Sequence, residues 1–125
     1  MTDGPSSGDV VLLVDDHPDT REMYVEFLNA MGLQTLEATT CAEALTLVES
    51  SRVDAVVLDR RLPDGDGGQV CQALRRDPRT RTLPIIVLSG KEKDGAIPAD
   101  AYLMKPVVPD VLFSEITRLI AARRA

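Results

Sequence analysis

Polar or ionisable side chains stand at the carboxyl ends of four short apolar segments. They are three carboxylates, one hydroxyl and one amine: Asp15, Asp16, Asp59, Ser89 and Lys105. Apolar runs of this length favour strands that are covered on both faces of a parallel sheet. In open α/β sheets, ligands bind just outside the carboxyl ends of the strands. The pattern therefore predicts that these five side chains meet at one edge, where they could hold a divalent metal and a phosphoryl group.

The residue types at these positions suit phosphoryl chemistry. Crowded carboxylates repel one another unless a cation joins them, and oxygen ligands of this kind favour Mg²⁺ or Mn²⁺. Lys105 could pair with a carboxylate or with phosphate oxygens, and Ser89 could donate a hydrogen bond. Asp59 could be a nucleophile, because aspartyl phosphates are known covalent intermediates. An Asp-Asp pair alone is typical of a solvated loop end. The hypothesis therefore rests on the placement of all five side chains at strand ends.

Alternating apolar patterns predict the elements that position these side chains. We expect strands at residues 10–14, 34–38, 55–58, 84–88 and 101–104. We expect helices at residues 18–31, after a Thr40–Glu43 capping box, at 67–76 and at 109–123. Strands that alternate with helices imply a parallel sheet with right-handed crossovers. Residues predicted to face the core from the first and last helices include Met23, Phe27, Leu28, Met31, Val111, Leu112, Ile116, Leu119 and Ile120.

The composition bounds the class of protein. The chain has 125 residues, which suits one domain, and a net charge of −6, which gives no electrostatic support for nucleic-acid binding. No apolar stretch is long enough to span a bilayer, and the first eight residues read as a flexible tail without signal-peptide features. Cys41 and Cys71 are expected to be buried reduced thiols, which predicts a cytoplasmic location.

Four ordered motifs resemble the receiver domain of two-component response regulators, in the chemotaxis-regulator-like superfamily. They are Val14–Pro18, Leu58–Gly67, Val87–Gly90 and Tyr102–Pro106. The resemblance covers roughly residues 9–124. It implies a flavodoxin-like five-stranded parallel sheet in the order 2-1-3-4-5, with helices on both faces. Residues 9–125 would form the receiver domain and residues 1–8 the tail.

The resemblance also implies a role for each site residue. Asp59 would be the phosphoacceptor, and Ser89 and Lys105 would contact the phosphoryl group. Mg²⁺ or Mn²⁺ would be bound by Asp16, Asp59 and the backbone carbonyl of Arg61, with Asp15 acting mainly through a metal-bound water. Tyr102 would be the aromatic switch residue. The Lys105–Pro106 peptide bond would be cis, a conformation that only X-Pro bonds adopt at low cost.

The function implied is a phosphorelay switch that takes a phosphoryl group from a histidine kinase or a histidine phosphotransfer protein. Such a domain catalyses only its own aspartyl phosphorylation and dephosphorylation, signals to an output protein that the sequence does not identify, and needs no nucleic acid or membrane. A phosphorylation-independent interaction module is the alternative. A phosphatase with an Asp-x-Asp nucleophile motif ranks far behind, because Arg61 stands where the general-acid carboxylate is needed.

Three local features depart from the family pattern or need a separate interpretation. The sixteen steps from Ser89 to Lys105 are fewer than usual, and their composition predicts that the fourth helix is missing or reduced to a turn. We therefore expect partners to dock on the first and last helices and around Asp59, with Arg60 and Arg61 available to an acidic partner. His17 is expected to be an exposed loop residue, and residues 64–67 a turn that caps the third helix.

Overall fold

A five-stranded parallel sheet forms the centre of the protein. The structure is a computed structural model that describes residues 8–91 and 97–125. In chain order, the elements are β1 (Val10–Val14), α1 (Pro18–Ala30), β2 (Gln34–Ala38), α2 (Cys41–Ser50), β3 (Ala55–Asp59), β4 (Arg61–Leu62), β5 (Gly65–Asp66), α3 (Gly67–Arg76), β6 (Ile85–Ser89), β7 (Ala101–Met104) and α4 (Pro109–Arg124). The sheet order is β2-β1-β3-β6-β7. This confirms the predicted 2-1-3-4-5 order, because β4 and β5 form a separate short antiparallel pair.

The two faces of the sheet are covered by different helices. Alternate residues of each strand point to opposite faces, so the sheet divides its apolar side chains between two clusters. Leu12 and Val56 belong to the cluster that packs against α2 and α3. Leu13 and Val57 belong to the cluster that packs against α1 and α4. Strands β1, β3 and β6 are fully buried, whereas β2 lies at an edge and is partly exposed, as its polar sequence predicts.

The inward faces of α1 and α4 differ in part from the prediction. Met23, Met31 and Val111 were expected to face the core, but all three are exposed. Tyr24 and Leu28 are the buried residues of α1. The phenol of Tyr24 donates a 2.7 Å hydrogen bond to the carbonyl oxygen of Val107, so its polar end is satisfied inside the core. Burial of this tyrosine turns the neighbouring methionine toward solvent.

Side-chain hydrogen bonds cap the N-termini of α2 and α3, the two helices that cover one face of the sheet. The hydroxyl of Thr40 accepts from the Glu43 N–H at 3.1 Å, as the capping box predicts. The carboxylate of Glu43, however, accepts from the Thr39 N–H at 2.7 Å instead of from Thr40. At α3, Asp66 accepts from the Gly68 N–H at 2.8 Å, so residues 64–67 form the expected capping turn.

The connection between β6 and β7 contains no helix among its described residues, which are Gly90, Lys91 and 97–100. This agrees with the prediction for those positions. Residues 92–96 lie outside the described residues, as do residues 1–7 of the predicted flexible tail. Ile97 is buried in the cluster beside α3, so at least one apolar side chain anchors the connection. No helix in the described part of the chain is long and apolar enough to cross a membrane.

Arg75 of α3 makes four polar contacts around this connection. Its guanidinium donates to the carbonyl oxygens of Arg81, Leu83 and Pro98 at 2.7–2.9 Å. It also donates to a carboxylate oxygen of Asp100 at 2.8 Å. The same oxygen accepts the backbone N–H of Ile85, the first residue of β6. One side chain therefore joins α3, the approach to β6 and the approach to β7.

Candidate functional site

The carboxyl ends of β1, β3, β6 and β7 surround a cleft of about 750 Å³. Its lining includes side chains that the sequence placed at these strand ends, together with both arginines after Asp59: Asp16, Asp59, Arg60, Arg61, Ser89 and Lys105. Asp15 lies beneath the cleft and is 4% exposed. The structure thus brings together the five side chains that the sequence predicts to meet at this edge of the sheet.

Asp59 sits at the end of β3 and is 3% exposed. Its Oδ2 lies 3.0 Å from the ammonium of Lys105. Its Oδ1 accepts a long hydrogen bond of 3.3 Å from the Arg61 N–H. The backbone N–H of Lys105 also donates to the Ser89 carbonyl oxygen at 2.7 Å, and the Lys105–Pro106 peptide bond is cis, as the resemblance implies. These contacts join the ends of β3, β6 and β7.

Close main-chain packing holds the Asp59 segment in place. The Arg60 N–H donates to the Leu88 carbonyl at 2.9 Å, and the Arg60 carbonyl accepts from the Gly67 N–H at 2.6 Å. A β-carbon at Gly67 would lie 2.6 Å from the Asp59 carbonyl oxygen and 3.2 Å from the Arg60 α-carbon. Any larger residue would push α3 away from the Asp59 segment. Glycine at position 67 therefore permits α3 to begin directly against the candidate phosphoacceptor.

The acidic pair after β1 brings two more carboxylates to the cleft. Asp15 Oδ1 accepts from the His17 N–H at 2.8 Å. Asp16 Oδ1 is buried and has no hydrogen-bond partner among the described residues. Ligand atoms from Asp15, Asp16, His17 and Asp59 all lie within 4.8 Å of one another. A buried carboxylate oxygen that accepts no hydrogen bond, although His17 Nδ1 lies 3.3 Å away, beside two other carboxylates suits a hard divalent cation. These residues therefore fit the Mg²⁺ or Mn²⁺ predicted from the sequence.

His17 is exposed, as expected, but it contacts the acidic pair. Its side chain is 67% exposed, and its Nδ1 lies 3.2 Å from Asp15 Oδ1 and 3.3 Å from Asp16 Oδ1. These contacts were not predicted from the sequence. The position directly after two acids was the signal that could have revealed them.

Ser89 and Tyr102 lie on neighbouring strands at the cleft. Ser89 is 4% exposed, and its hydroxyl oxygen accepts from the Lys91 N–H at 3.1 Å. Tyr102 is half-buried and packs against the apolar cluster that contains Ile97. Its phenol oxygen accepts from Arg60 Nη1 at 3.0 Å. The structure therefore links Tyr102 to the residue that follows Asp59.

Arg60 differs from the expectation that both arginines are available to an acidic partner. Its side chain is 22% exposed, and its Nε lies 3.3 Å from Asp66 Oδ2 in addition to the contact with Tyr102. Arg61 is exposed, as predicted. The prediction was wrong for Arg60 because a side chain of this length can turn back onto its own domain. Asp66, six residues later in the chain, was a sequence signal for one of these contacts. No residue near Arg60 in the sequence indicated the contact with Tyr102.

Charges and burial near the site shift the pKa of several groups. Burial, together with the negative charge of Asp15, raises the pKa of Tyr24. Burial and the nearby carboxylate of Asp64 raise the pKa of Cys41 to about 11. Hydrogen bonds from the Cys41 and Ala42 N–H groups lower the pKa of Asp64. The N-terminus of α2 thereby stabilises the charged form of Asp64.

This fold and this arrangement of acids, serine and lysine match a known family. Residues 11–117 match the response regulator receiver domain, and the chain belongs to this family. The phosphate regulon transcriptional regulatory protein PhoB of Pseudomonas aeruginosa is 33% identical over 119 residues, which are 90% of this chain and 52% of that protein. The chain spans about half the length of the curated relatives it matches.

Two similar solved structures contain magnesium. The receiver domain of a sensor histidine kinase from Pseudomonas aeruginosa PAO1 has a magnesium ion coordinated in its active site cleft. It has a TM-score of 0.84 and 28% identity, and the match covers 91% of this chain and 98% of that one. The response regulator TrrA of Thermotoga maritima, in complex with Mg²⁺ and BeF, has a TM-score of 0.81 and 29% identity, with coverages of 89% and 98%. Receiver domains similar to this chain thus hold magnesium.

Proposed function

We propose that this domain is a phosphoacceptor switch of a two-component phosphorelay and that Asp59 receives the phosphoryl group. The observation that carries the proposal is the buried Asp59 carboxylate, which lies 3.0 Å from the Lys105 ammonium in a cleft with two further acids. A carboxylate on a rigid strand end, next to one cation and an open cleft, is placed to act as a nucleophile.

The transfer would exchange one bond to phosphorus for another. An Asp59 carboxylate oxygen would bond to phosphorus while the bond from phosphorus to the donor's imidazole nitrogen breaks, and that nitrogen keeps the electron pair. In dephosphorylation, a water oxygen would bond to phosphorus and the Asp59 oxygen would leave as carboxylate. Lys105 would follow the negative charge from the carboxylate to the phosphoryl oxygens, because a charge-assisted hydrogen bond is available in both states. Ser89 would donate its hydroxyl to another phosphoryl oxygen.

The metal would be held by Asp15, Asp16, Asp59 and the backbone carbonyl of Arg61. Bound there, Mg²⁺ or Mn²⁺ would neutralise charge on the phosphoryl oxygens. Asp16 would be a direct ligand, which would give a function to its buried oxygen that accepts no hydrogen bond. Asp15 already accepts the His17 N–H and would act mainly through a metal-bound water.

The phosphoryl donor would be a histidine kinase or a histidine phosphotransfer protein. Transcriptional regulators among the relatives are about twice the length of this chain, so an output partner or output domain is a separate proposal that the receiver alone does not specify. We expect the partner surface to include α1, α4 and the exposed Arg61. Outside its own phosphorylation and dephosphorylation, we propose no catalytic activity.

A phosphorylation-independent interaction module is the second candidate. It is favoured by the absence of a helix among the described residues between β6 and β7, since a reduced connection leaves less surface to remodel on phosphorylation. In that case the cleft would be a remnant and partners would bind regardless of Asp59.

Incubation with acetyl phosphate and Mg²⁺, followed by intact mass measurement, tests the proposal. We expect one phosphoryl adduct on the wild type and none on Asp59→Asn. Lys105→Ala should remain folded but respond weakly to modification, because it removes the ammonium that would move from Asp59 Oδ2 to a phosphoryl oxygen after transfer. An adduct that persists in Asp59→Asn would contradict the assignment, and the absence of any adduct on the wild type would favour the second candidate.

A further inference from the structure

Arg60 occupies a position between the candidate phosphoacceptor and two other elements of the fold. It follows Asp59 directly, and its side chain lines the same cleft as Asp59, Ser89 and Lys105. Its backbone is fixed by hydrogen bonds to Leu88 and Gly67. Because the backbone is held on both sides, the guanidinium is the part of this residue that can change partners.

In the described part of the chain, the guanidinium of Arg60 contacts residues of two different elements. Nη1 donates to the phenol oxygen of Tyr102 in β7 at 3.0 Å, and Nε donates to Asp66 Oδ2 at 3.3 Å. The other oxygen of Asp66 caps α3 by accepting the Gly68 N–H. Arg60 thus joins the Asp59 segment to a residue of the far strand and to the start of α3.

These contacts are of unequal strength. The bond to Tyr102 has a neutral acceptor, and the bond to Asp66 is long and partly exposed, since the Asp66 side chain is 47% exposed. A phosphoryl group brings about 1.5–2 negative charges and three strong acceptor oxygens. In a partly enclosed cleft, such an acceptor competes well with a phenol for an arginine that can bind in a bidentate manner.

We propose that Arg60 is a positioning residue that holds Tyr102 in the unmodified protein and exchanges it for the phosphoryl group when Asp59 is modified. This inference rests on the proposed function, because it requires a phosphoryl group at Asp59. The exchange frees the phenol of Tyr102 and leaves α3 with its Asp66 cap. Arg60 thereby couples the charge at Asp59 to the position of the tyrosine ring.

The chain contains two tyrosines and no tryptophan, so fluorotyrosine labelling yields two fluorine NMR signals. Tyr102→Phe assigns them. Tyr24, which is buried and bonded to Val107, serves as the internal reference. In the absence of ligand, we expect Arg60→Gln to shift the Tyr102 signal and leave Tyr24 unchanged. Arg76→Gln removes the same charge from an exposed position on α3 and should shift neither.

Mg²⁺ with beryllofluoride then probes the modified state. We expect it to shift the Tyr102 signal in the wild type toward its position in ligand-free Arg60→Gln. In the variant itself, the response of Tyr102 to the ligand should be largely lost. Arg60→Lys provides a second test if Arg60→Gln does not fold. The single ammonium of the lysine cannot bind Tyr102 and Asp66 together as the guanidinium does. The Tyr102 signal of ligand-free Arg60→Lys should therefore also differ from that of the wild type.

The outcomes separate this inference from the proposed function. A Tyr102 signal that is identical in wild type and Arg60→Gln, without ligand, would overturn the holding role. A full ligand-induced shift of Tyr102 in Arg60→Gln would overturn the exchange. If the ligand moves no signal and acetyl phosphate yields no adduct, the proposed function fails and the exchange fails with it, while the ligand-free comparison still decides the holding role.

Discussion

The two ends of the sheet both contain buried acids, but among the described residues Asp9 and Asp54 at the amino end each have an arginine partner, whereas Asp15, Asp16 and Asp59 at the carboxyl end share one lysine. At the amino end, Arg124 binds both oxygens of Asp9 at 2.8 and 3.1 Å, and Arg52 lies 3.1 Å from Asp54. At the carboxyl end, Lys105 is the one lysine or arginine among the described residues that forms an ion pair with Asp15, Asp16 or Asp59. The His17 ring also contacts Asp15 and Asp16.

This difference separates structural acids from acids that are suited to a ligand. The matched acids tie the end of α4 to the start of β1, and the Asp9 carboxylate raises the pKa of Arg124. The three crowded acids share one ammonium ion pair among the described residues and repel one another, a condition that a divalent cation relieves. Removing the charge of an acid should therefore lower the free energy of unfolding at the amino end and raise it at the carboxyl end.

Neutralising Asp9 should produce the largest loss in this comparison. Asp9→Asn weakens two charge-assisted hydrogen bonds to Arg124 at a residue that is 4% exposed, so we expect a loss of about 2–3 kcal/mol in the free energy of unfolding. Urea denaturation followed by circular dichroism measures it. Glu26→Gln, exposed on α1, should change stability by less than about 0.5 kcal/mol. Equal effects of the two variants would remove the structural role of the amino-end pairs.

Neutralising an acid at the carboxyl end should have the opposite sign. In EDTA, Asp16→Asn should raise the free energy of unfolding by about 0.5–1 kcal/mol, because it relieves repulsion among the three carboxylates. For the wild type, Mg²⁺ at ten times its dissociation constant should add about 1.4 kcal/mol. Thermal melts with and without Mg²⁺ measure both effects.

The metal response also distinguishes the two adjacent acids. Asp16→Asn should reduce the Mg²⁺-dependent rise in melting temperature more than Asp15→Asn does, since a direct ligand contributes more than one acting through water. Equal or reversed losses would contradict this assignment. A wild-type melting temperature that is insensitive to millimolar Mg²⁺ would contradict the whole contrast between the ends.

Asp64 should show that the hydrogen bonds of an individual carboxylate decide whether its charge stabilises the fold, whichever end of the sheet it lies at. Hydrogen bonds from the Cys41 and Ala42 N–H groups lower its folded pKa below the usual 3.8. The stabilisation is therefore present above the unfolded pKa and is lost as the pH falls through the folded pKa. The difference in free energy of unfolding between wild type and Asp64→Asn should be constant from about pH 5 to 7. It should shrink toward zero below about pH 4. Urea titrations across this range would detect it, and a constant difference down to acid pH would disprove it.

Removing Arg52 should have the smallest effect. Its side chain is 66% exposed, and its contacts with Asp54 and Asp9 are 3.1 and 3.6 Å. Salt bridges with a partner this exposed contribute about 0.2–1 kcal/mol. Arg52→Gln should therefore lower the urea midpoint slightly and less than Asp9→Asn does. A comparable loss would mean that Arg52, and not Arg124, holds the amino-end network together.

The sequence predicted the sheet, its order and the meeting of the five site residues because each rests on local patterns. Buried strands are continuous apolar runs, and their ends fall at polar residues such as Asp59. The parallel topology then brings those ends together. Helix starts were also predictable where a cap is local, as at Thr40 and Asp66.

Contacts that depend on where a long side chain points could not be predicted. The pairing of Asp9 with Arg124 joins residues 115 positions apart, and both partners look like ordinary surface charges in the sequence. The exposed Met23 and the buried Tyr24 are neighbours on one helix, and the choice between them depends on Val107 across the interface. Likewise, Arg60 can contact Tyr102 only when β3 and β7 lie in the same folded sheet.

The anchoring of the β6–β7 approach by Arg75 has a thermal consequence. Opening that breaks only the bonds to Pro98, Asp100 and Leu83 exposes mainly polar groups, whereas opening that also releases Ile97 exposes an apolar side chain that is buried beside α3. Exposure of polar surface lowers the heat-capacity change of local opening, and exposure of apolar surface raises it. The enthalpy of opening should therefore vary less with temperature when only the Arg75 bonds break than when Ile97 is released as well. A helix docked through apolar side chains would instead be held most tightly at intermediate temperature.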